Sequence, residues 1–198
     1  MENKIFSKFN IYDQIGYLLV GSIALLVVIF NLFLLGKQSF IPDFTTQNFL
    51  AWFIIAYFLG HIMQAIANIF IKENKTDFSD SEKEILEKAK RHFETDKQSL
   101  SEIYLLCYMF SFAKDITGQV QSFNAYYSLY RGWFIVFGLN SLFALSQFFS
   151  NWFSLLHTSV FVFSVLLAWL FYKRSKRFYS YLRGKILQTF MIISKNKF

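Results

Sequence analysis

The chain has 198 residues, of which 55% are hydrophobic and 17% are charged, and it contains one proline. An ordinary soluble domain is excluded, because such domains carry about 25% charged residues. The single cysteine, Cys107, excludes an internal disulfide and a cysteine-based metal cage. The formal net charge is +7, and the excess lies in the C-terminal half because no acidic residue follows Asp115.

Two uncharged segments open the chain, over residues 14–36 and 48–71. At about 1.5 Å per residue, the second is about 36 Å long as a helix, which exceeds a hydrocarbon core of about 30 Å. The segment between them is short and holds Pro42. The sequence therefore predicts two membrane spans joined by a loop.

The second predicted span carries a polar stripe. Gly60, Gln64 and Asn68 recur every four residues and His61 lies beside them, so the four share one side of a helix. That side is expected to face protein or water rather than lipid. Two interpretations stay open: the stripe packs against neighbouring helices, or it serves conduction, gating or proton sensing.

Residues 72–126 form a polar insertion with helix-start signals. Ser81 with Glu84, and Ser99 with Glu102, have the spacing of a capping box. Two helices are predicted to follow these signals, over residues 82–93 and 100–113. Neither has a charge-free stretch long enough to cross a membrane.

The segment from 127 to 172 contains one charged residue, Arg131, which is expected to snorkel to the headgroups beside an aromatic belt. The polar break near Ser150 divides the segment into two predicted spans, 127–149 and 152–172. Asn140 and His157 are expected at comparable depths and are predicted to pair with each other.

The tail, residues 173–198, has eight basic residues and no acidic one. Its apolar residues recur at helical spacing, which predicts a basic amphipathic helix. This helix is expected either to lie on anionic lipid or to contact RNA. The residues assigned to that surface are Lys173, Arg174, Lys176, Arg177, Arg183 and Lys185.

The distribution of basic residues predicts the orientation. With a cytoplasmic N-terminus, 19 of the 20 Lys and Arg lie inside and only Lys37 lies outside. The predicted fold is all-α: one integral membrane domain, 1–198, built as a four-helix bundle with a cytoplasmic helical hairpin and the basic C-terminal helix. The predicted location is a bacterial inner membrane, with both termini cytoplasmic.

The sequence contains no recognisable catalytic motif. It has no phosphate-binding glycine-rich loop and no HExxH, GxSxG or CxxC. The three histidines are too far apart to have ligand spacing. No enzymatic activity, metal or cofactor is therefore expected.

The opening KFNIYDQIGYLLVG, the segment AYFLGHIMQAIANIF and the four-span layout resemble membrane accessory proteins encoded beside type VI-B CRISPR effectors. The resemblance implies an antiviral role in which a small membrane protein modulates, or is triggered by, an RNA-guided RNA-cleaving nuclease. A related accessory type forms a pore with ribonuclease-like arginine and histidine positions. This sequence lacks that arginine–histidine spacing.

The leading hypothesis is a homo-oligomer that alters membrane permeability through Gly60, His61, Gln64 and Asn68. The alternative is a non-conducting anchor or regulator that binds a cytoplasmic partner or RNA through its basic surface. The expected partners are membrane lipids, further copies of the chain, and an RNA-guided nuclease or its RNA.

Overall fold

The structure, a computed structural model, describes residues 13–41, 43, 45, 48–73, 76–95, 97–150 and 154–195. Six α-helices follow one another: α1 (Val20–Leu34), α2 (Phe49–Phe70), α3 (Asp80–Phe93), α4 (Leu100–Lys114), α5 (Gln119–Ser150) and α6 (Leu155–Lys195). A π-helical segment, Asp13–Leu19, leads into α1, and a short 3-10 helix, Gln38–Phe40, follows it. Within these ranges there is no β-strand, so the all-α prediction is confirmed.

Four helices are long and apolar enough to cross a membrane: Gln14–Leu34, α2, α5 and α6. The first two agree closely with the predicted spans 14–36 and 48–71. The other two predicted spans, 127–149 and 152–172, lie inside longer helices, α5 and α6. The predicted start of the fourth span, at 152, falls outside the described residues.

The chain divides into two compact units. The first unit comprises Met1–Ile71 and Ala125–Lys176, and the second comprises Lys72–Asn124 and Arg177–Phe198. The second unit thus joins most of the predicted insertion to most of the predicted tail. The chain passes from the second unit to the first inside α5, between residues 124 and 125. It returns to the second unit inside α6, between residues 176 and 177.

In the first unit, glycines allow a close crossing between α2 and the segment that leads into α1. A Cβ at Gly60 would collide with the backbone carbonyl of Tyr17, and one at Gly21 would collide with that of Ala56. Only glycine lets two helix backbones approach this closely. The packing interpretation of Gly60 is therefore supported by its geometry.

Small and branched apolar side chains fill the space beside this crossing. Val20, Ala24, Leu129 and Val136 are buried together, with Leu59, Met63 and Trp133 among the residues packed around them. These side chains come from α1, α2 and α5. The core of the first unit therefore holds three of its helices together.

In the second unit, one of the two predicted capping boxes is correct. Ser99 and Glu102 cap α4 as expected. The box at α3, however, is formed by Ser79 and Glu82 rather than by Ser81 and Glu84. Both serines have a glutamate three residues on, so spacing cannot separate them. Burial of Phe78 next to Ser79 favours the earlier start, and α3 therefore begins at Asp80.

The tail continues α6 and forms the core of the second unit. Leu182, Ile186 and Phe190 are buried, and the Ser111 hydroxyl of α4 donates a 2.8 Å hydrogen bond to the Ile186 carbonyl. The Phe190 ring lies 5.7 Å from that of Phe110. The expectation that this apolar side lies on lipid is wrong, because α3 and α4 provide protein partners for it.

Candidate functional site

Gln64 is the centre of the polar contacts in the first unit. It is 4% exposed, and its amide nitrogen donates to the carbonyls of Gly16, at 2.9 Å, and Ser128, at 2.7 Å. Its amide oxygen accepts a hydrogen bond from Nη2 of Arg131, at 3.1 Å. One side chain therefore bonds to three residues in two segments of the chain, the π-helical segment and α5.

Arg131 is buried, which corrects the expectation that it snorkels. It is 7% exposed, and its guanidinium carbon lies 5.0 Å from the centre of the Tyr127 ring. Sequence reasoning missed its partnership with Gln64. The available signal was its isolation, since it is the only Asp, Glu, Lys or Arg between Asp115 and Lys173.

Gly132 makes room for the Gln64 amide that contacts Arg131. A Cβ at this position would lie 2.8 Å from Nε2 of Gln64 and 2.6 Å from Cγ1 of Val20. Both distances are too short for a real Cβ contact. The glycine next to Arg131 therefore leaves room for Gln64 between α1 and α5.

The predicted stripe does not form one surface. Gly60 and Gln64 are buried, whereas His61 and Asn68 are exposed in the single chain. The buried face follows Gly60, Gln64 and Ala67, because a step of three residues after a step of four corrects the drift of a 3.6-residue turn. His61 packs its ring on Tyr17, with 3.8 Å between ring centroids.

The predicted pair of Asn140 and His157 is wrong. The Asn140 carbonyl oxygen accepts from Asn31 at 2.6 Å, and its amide nitrogen donates to the Ser164 hydroxyl at 2.7 Å. Neither ring nitrogen of His157 has a hydrogen-bond partner among the described residues. Asn140 is level with Ser164, about two turns from His157, so a polar chain joins α1, α5 and α6 instead.

The six basic residues assigned to a lipid or RNA surface do not share one environment. Lys173, Arg174, Lys176 and Arg177 are exposed and Lys185 is half-buried. Arg183 forms a 2.7 Å ion pair with Glu82, with side-chain exposures of 12% and 22%. The assignment of Arg183 to that surface is therefore wrong.

A groove with basic residues lies elsewhere on the second unit, where sequence reasoning had not placed it. This basic groove has a volume of about 490 Å³ and is lined by Lys88, Arg91, His92, Phe190, Met191, Ser194 and Lys195. Lys88 pairs with Glu84 at 2.7 Å. Arg91 and Lys195 form no ion pair within the described part of the chain. The ends of α3 and α6 thus present two uncompensated cations beside aromatic rings.

The second unit contains one thiol, which is not set up as a nucleophile. Cys107 is buried, and burial raises the pKa of its thiol to about 12. The thiolate, which is the reactive form, is therefore scarce at neutral pH. In the ranges that the structure covers, no three His, Cys, Asp or Glu residues group as metal ligands.

Comparisons with protein-family models, with curated proteins and with solved structures gave no match. The geometry of the chain's own side chains is therefore what bears on its function.

Proposed function

We propose that this chain is a multi-pass protein of a bacterial inner membrane that acts as a non-conducting anchor and regulator for a cytoplasmic partner. The observation that carries the proposal is the division of the chain. One unit contains the apolar helices α1 and α2 with most of α5 and the first part of α6. The other contains the shorter helices α3 and α4 with the basic end of α6, and it has its own buried core. On this proposal the first unit crosses the membrane four times, and the second unit lies in the cytoplasm with both termini.

The polar contacts of the first unit favour an anchor over a channel. Gln64 uses its carbonyl oxygen and both amide hydrogens inside the chain, and Asn140 likewise bonds to Asn31 and Ser164. Polar groups in hydrocarbon need such partners. Side chains engaged in this way stabilise packing and do not line a water-filled path.

The basic groove indicates the chemistry of the partner. Arg91, Lys195 and the aromatic residues beside them suit phosphates and stacked bases. The resemblance to type VI-B accessory proteins supports the same choice, an RNA-guided nuclease with its RNA. The proposed role is therefore antiviral defence, with the chain holding this complex at the membrane.

A pull-down from membranes tests the partner. The double variant Arg91→Glu with Lys195→Glu should lose recovery of the co-expressed nuclease and its RNA. The matched control, Lys173→Glu with Lys176→Glu, makes the same charge change on exposed positions of α6 and should retain recovery. Equal recovery with both variants would exclude the groove as the binding surface.

Truncation is unsuitable for this test. Deleting the residues after Tyr172 would remove the buried Leu182, Ile186 and Phe190 together with the basic residues. The second unit would lose its core, and lost binding would then have no single cause. Charge reversal at exposed positions keeps that core intact.

Reporter fusions test the topology. A fluorescent protein fused after Phe198 should fluoresce, and alkaline phosphatase at the same position should be inactive, because the first folds in the cytoplasm and the second needs the periplasm. The opposite result would reverse the proposed orientation. Recovery of the chain in the soluble fraction would reject the membrane assignment.

A second candidate function is permeability in a homo-oligomer, favoured by the exposure of His61 and Asn68 on α2. Polar side chains on a lipid-facing surface are costly, so a second copy is a suitable partner for them. Ion flux into liposomes that contain the purified chain decides between the candidates. Flux that is lost in His61→Leu with Asn68→Leu would support the oligomeric pore, whereas no flux from the wild-type chain would leave the anchor.

A further inference from the structure

The first unit contains an apolar cavity of about 330 Å³, lined by residues of α1, α2 and α5. Two of the lining residues, Ala24 and Val136, are buried, whereas Val28 and Leu139 are exposed. The cavity therefore has a closed side and an open side. If α1, α2 and α5 cross a membrane, the open side faces hydrocarbon, and a molecule dissolved in the bilayer can enter it directly.

Two amides, those of Asn31 and Asn140, are the polar side chains among the described residues that line the cavity. Nδ2 of Asn31 donates to the Val27 carbonyl at 2.9 Å and to Oδ1 of Asn140 at 2.6 Å. Oδ1 of Asn31 accepts no hydrogen bond from the described part of the chain. Nδ2 of Asn140 donates once, to the Ser164 hydroxyl, and its second hydrogen has no acceptor in that part. The pair therefore leaves one acceptor and one donor unused.

These two unused groups restrict what can occupy the cavity. In hydrocarbon, a polar group without a hydrogen-bond partner is costly. A water molecule would satisfy the amides but would not fill the remaining space, because cavities with apolar walls stay dry. A saturated acyl chain would fill the space but would satisfy neither amide. The suitable occupant has an apolar body and one group that both donates and accepts.

We propose that this cavity binds a lipophilic alcohol taken up from the membrane. A hydroxyl group has one hydrogen to donate and lone pairs that accept. It would donate to Oδ1 of Asn31 and accept from Nδ2 of Asn140, while the apolar body fills the space between the helices. The volume lies at the small end of the range for ligand pockets. An ionic headgroup is disfavoured, because no Lys, Arg, Asp or Glu occurs among the described lining residues.

This inference goes beyond the anchor role and needs no cytoplasmic partner. It rests on the proposed membrane location alone, because every lining residue belongs to the first unit. Cell fractionation tests that location separately. A failure of ligand binding in a chain that fractionates with membranes would therefore count against the cavity and not against the anchor.

Photoaffinity labelling of the full chain in detergent micelles tests the proposal, with decan-1-ol that carries a diazirine as the probe. Mass spectrometry should locate the label on lining residues of α1 and α5. Unlabelled decan-1-ol should compete for this labelling, and 1-methoxynonane should compete roughly threefold to tenfold more weakly. The two competitors are isomers, but the ether has no hydrogen to donate. The comparison therefore isolates the bond to Oδ1 of Asn31.

Two variants and a matched control assign the effect to the cavity. Asn31→Leu should remove the preference for the alcohol over the ether, whereas a purely structural role of Asn31 would weaken both competitors alike. Val28→Trp should abolish labelling of the cavity, because the larger side chain blocks its open side. Val165→Trp makes the same change at an exposed position of α6 that does not line the cavity, and labelling should stay within about twofold of wild type.

Four results would overturn the proposal. Equal competition by the ether and the alcohol would make a plain hydrocarbon chain the occupant. Label spread evenly over the exposed side of α6 would show partition into the micelle without a site. Labelling that falls as the number of chains per micelle rises would show that a second copy covers the cavity. Equal loss in Val28→Trp and Val165→Trp would place the site elsewhere. If circular dichroism shows that Asn31→Leu is misfolded, the competition in wild type and the Val28→Trp variant decide.

Discussion

Replacing Gln64 by leucine should destabilise the first unit, although the two side chains have similar volumes. The substitution removes hydrogen bonds to the carbonyls of Gly16 and Ser128 and leaves the Arg131 guanidinium without this acceptor. At about 0.6 to 1.5 kcal/mol for each of three buried bonds, the loss in free energy of unfolding is roughly 2 to 4.5 kcal/mol. Leucine itself is well suited to hydrocarbon, so hydropathy alone predicts the opposite sign.

The assay is titration of the micelle-bound chain with sodium dodecyl sulfate, followed by tryptophan fluorescence and helical circular dichroism. Asn68→Leu is the control, one turn further along α2, because Asn68 is exposed. It should change the free energy of unfolding by less than about 0.5 kcal/mol. A Gln64→Leu protein as stable as wild type, or no less stable than Asn68→Leu, would refute the assigned role of Gln64.

Three further predictions concern other parts of the chain. Gly60→Ala should cost about 1 to 3 kcal/mol in the same titration, because the new Cβ meets the Tyr17 carbonyl; Gly138→Ala, with open space around it, should cost nothing. Burial raises the pKa of Asp115, but hydrogen bonds from Thr117 and from the Val120 N–H outweigh it and hold the pKa below its usual value. The contribution of Asp115 to stability is therefore present at neutral pH and lost as pH falls below that usual value, and Asp115→Asn should remove this acid-dependent loss in a pH series of melts. Cys107 should react with a thiol reagent near pH 7 only after denaturation, because its thiol is buried and protonated; rapid labelling of the native chain would contradict its burial.

Composition and local spacing were sufficient to predict where the helices lie, but not that α5 begins at Gln119 or that α6 continues to Lys195. Uncharged length alone predicted four long apolar helices, and the Ser99 capping box depends only on residues three apart. Both signals are local, so they can be recognised in the sequence without knowledge of the fold. The π-helical lead into α1 has no such signal in the sequence.

The predictions that failed concern side-chain contacts between residues that are distant in the sequence. Asn140 bonds to Ser164 and Asn31 rather than to His157, because the register between α5 and α6 depends on packing and not on the position of the turn. Arg131 was expected at headgroups because its partner, Gln64, is distant in sequence. Charge alone likewise could not separate Arg183, which is ion-paired inside the second unit, from the exposed Lys173 and Arg174.

Because α6 is made after α3 and α4, the core of the second unit is completed only when the end of α6 has been synthesised. Helices α3 and α4 leave the ribosome first, but the residues that cover their apolar sides, Leu182, Ile186 and Phe190, are made only after α5 and the first part of α6. Until then the nascent helical pair has exposed apolar surface, which invites aggregation or chaperone binding. Premature termination between α5 and Leu182 would leave that surface open, which makes truncated products suitable substrates for quality-control proteases.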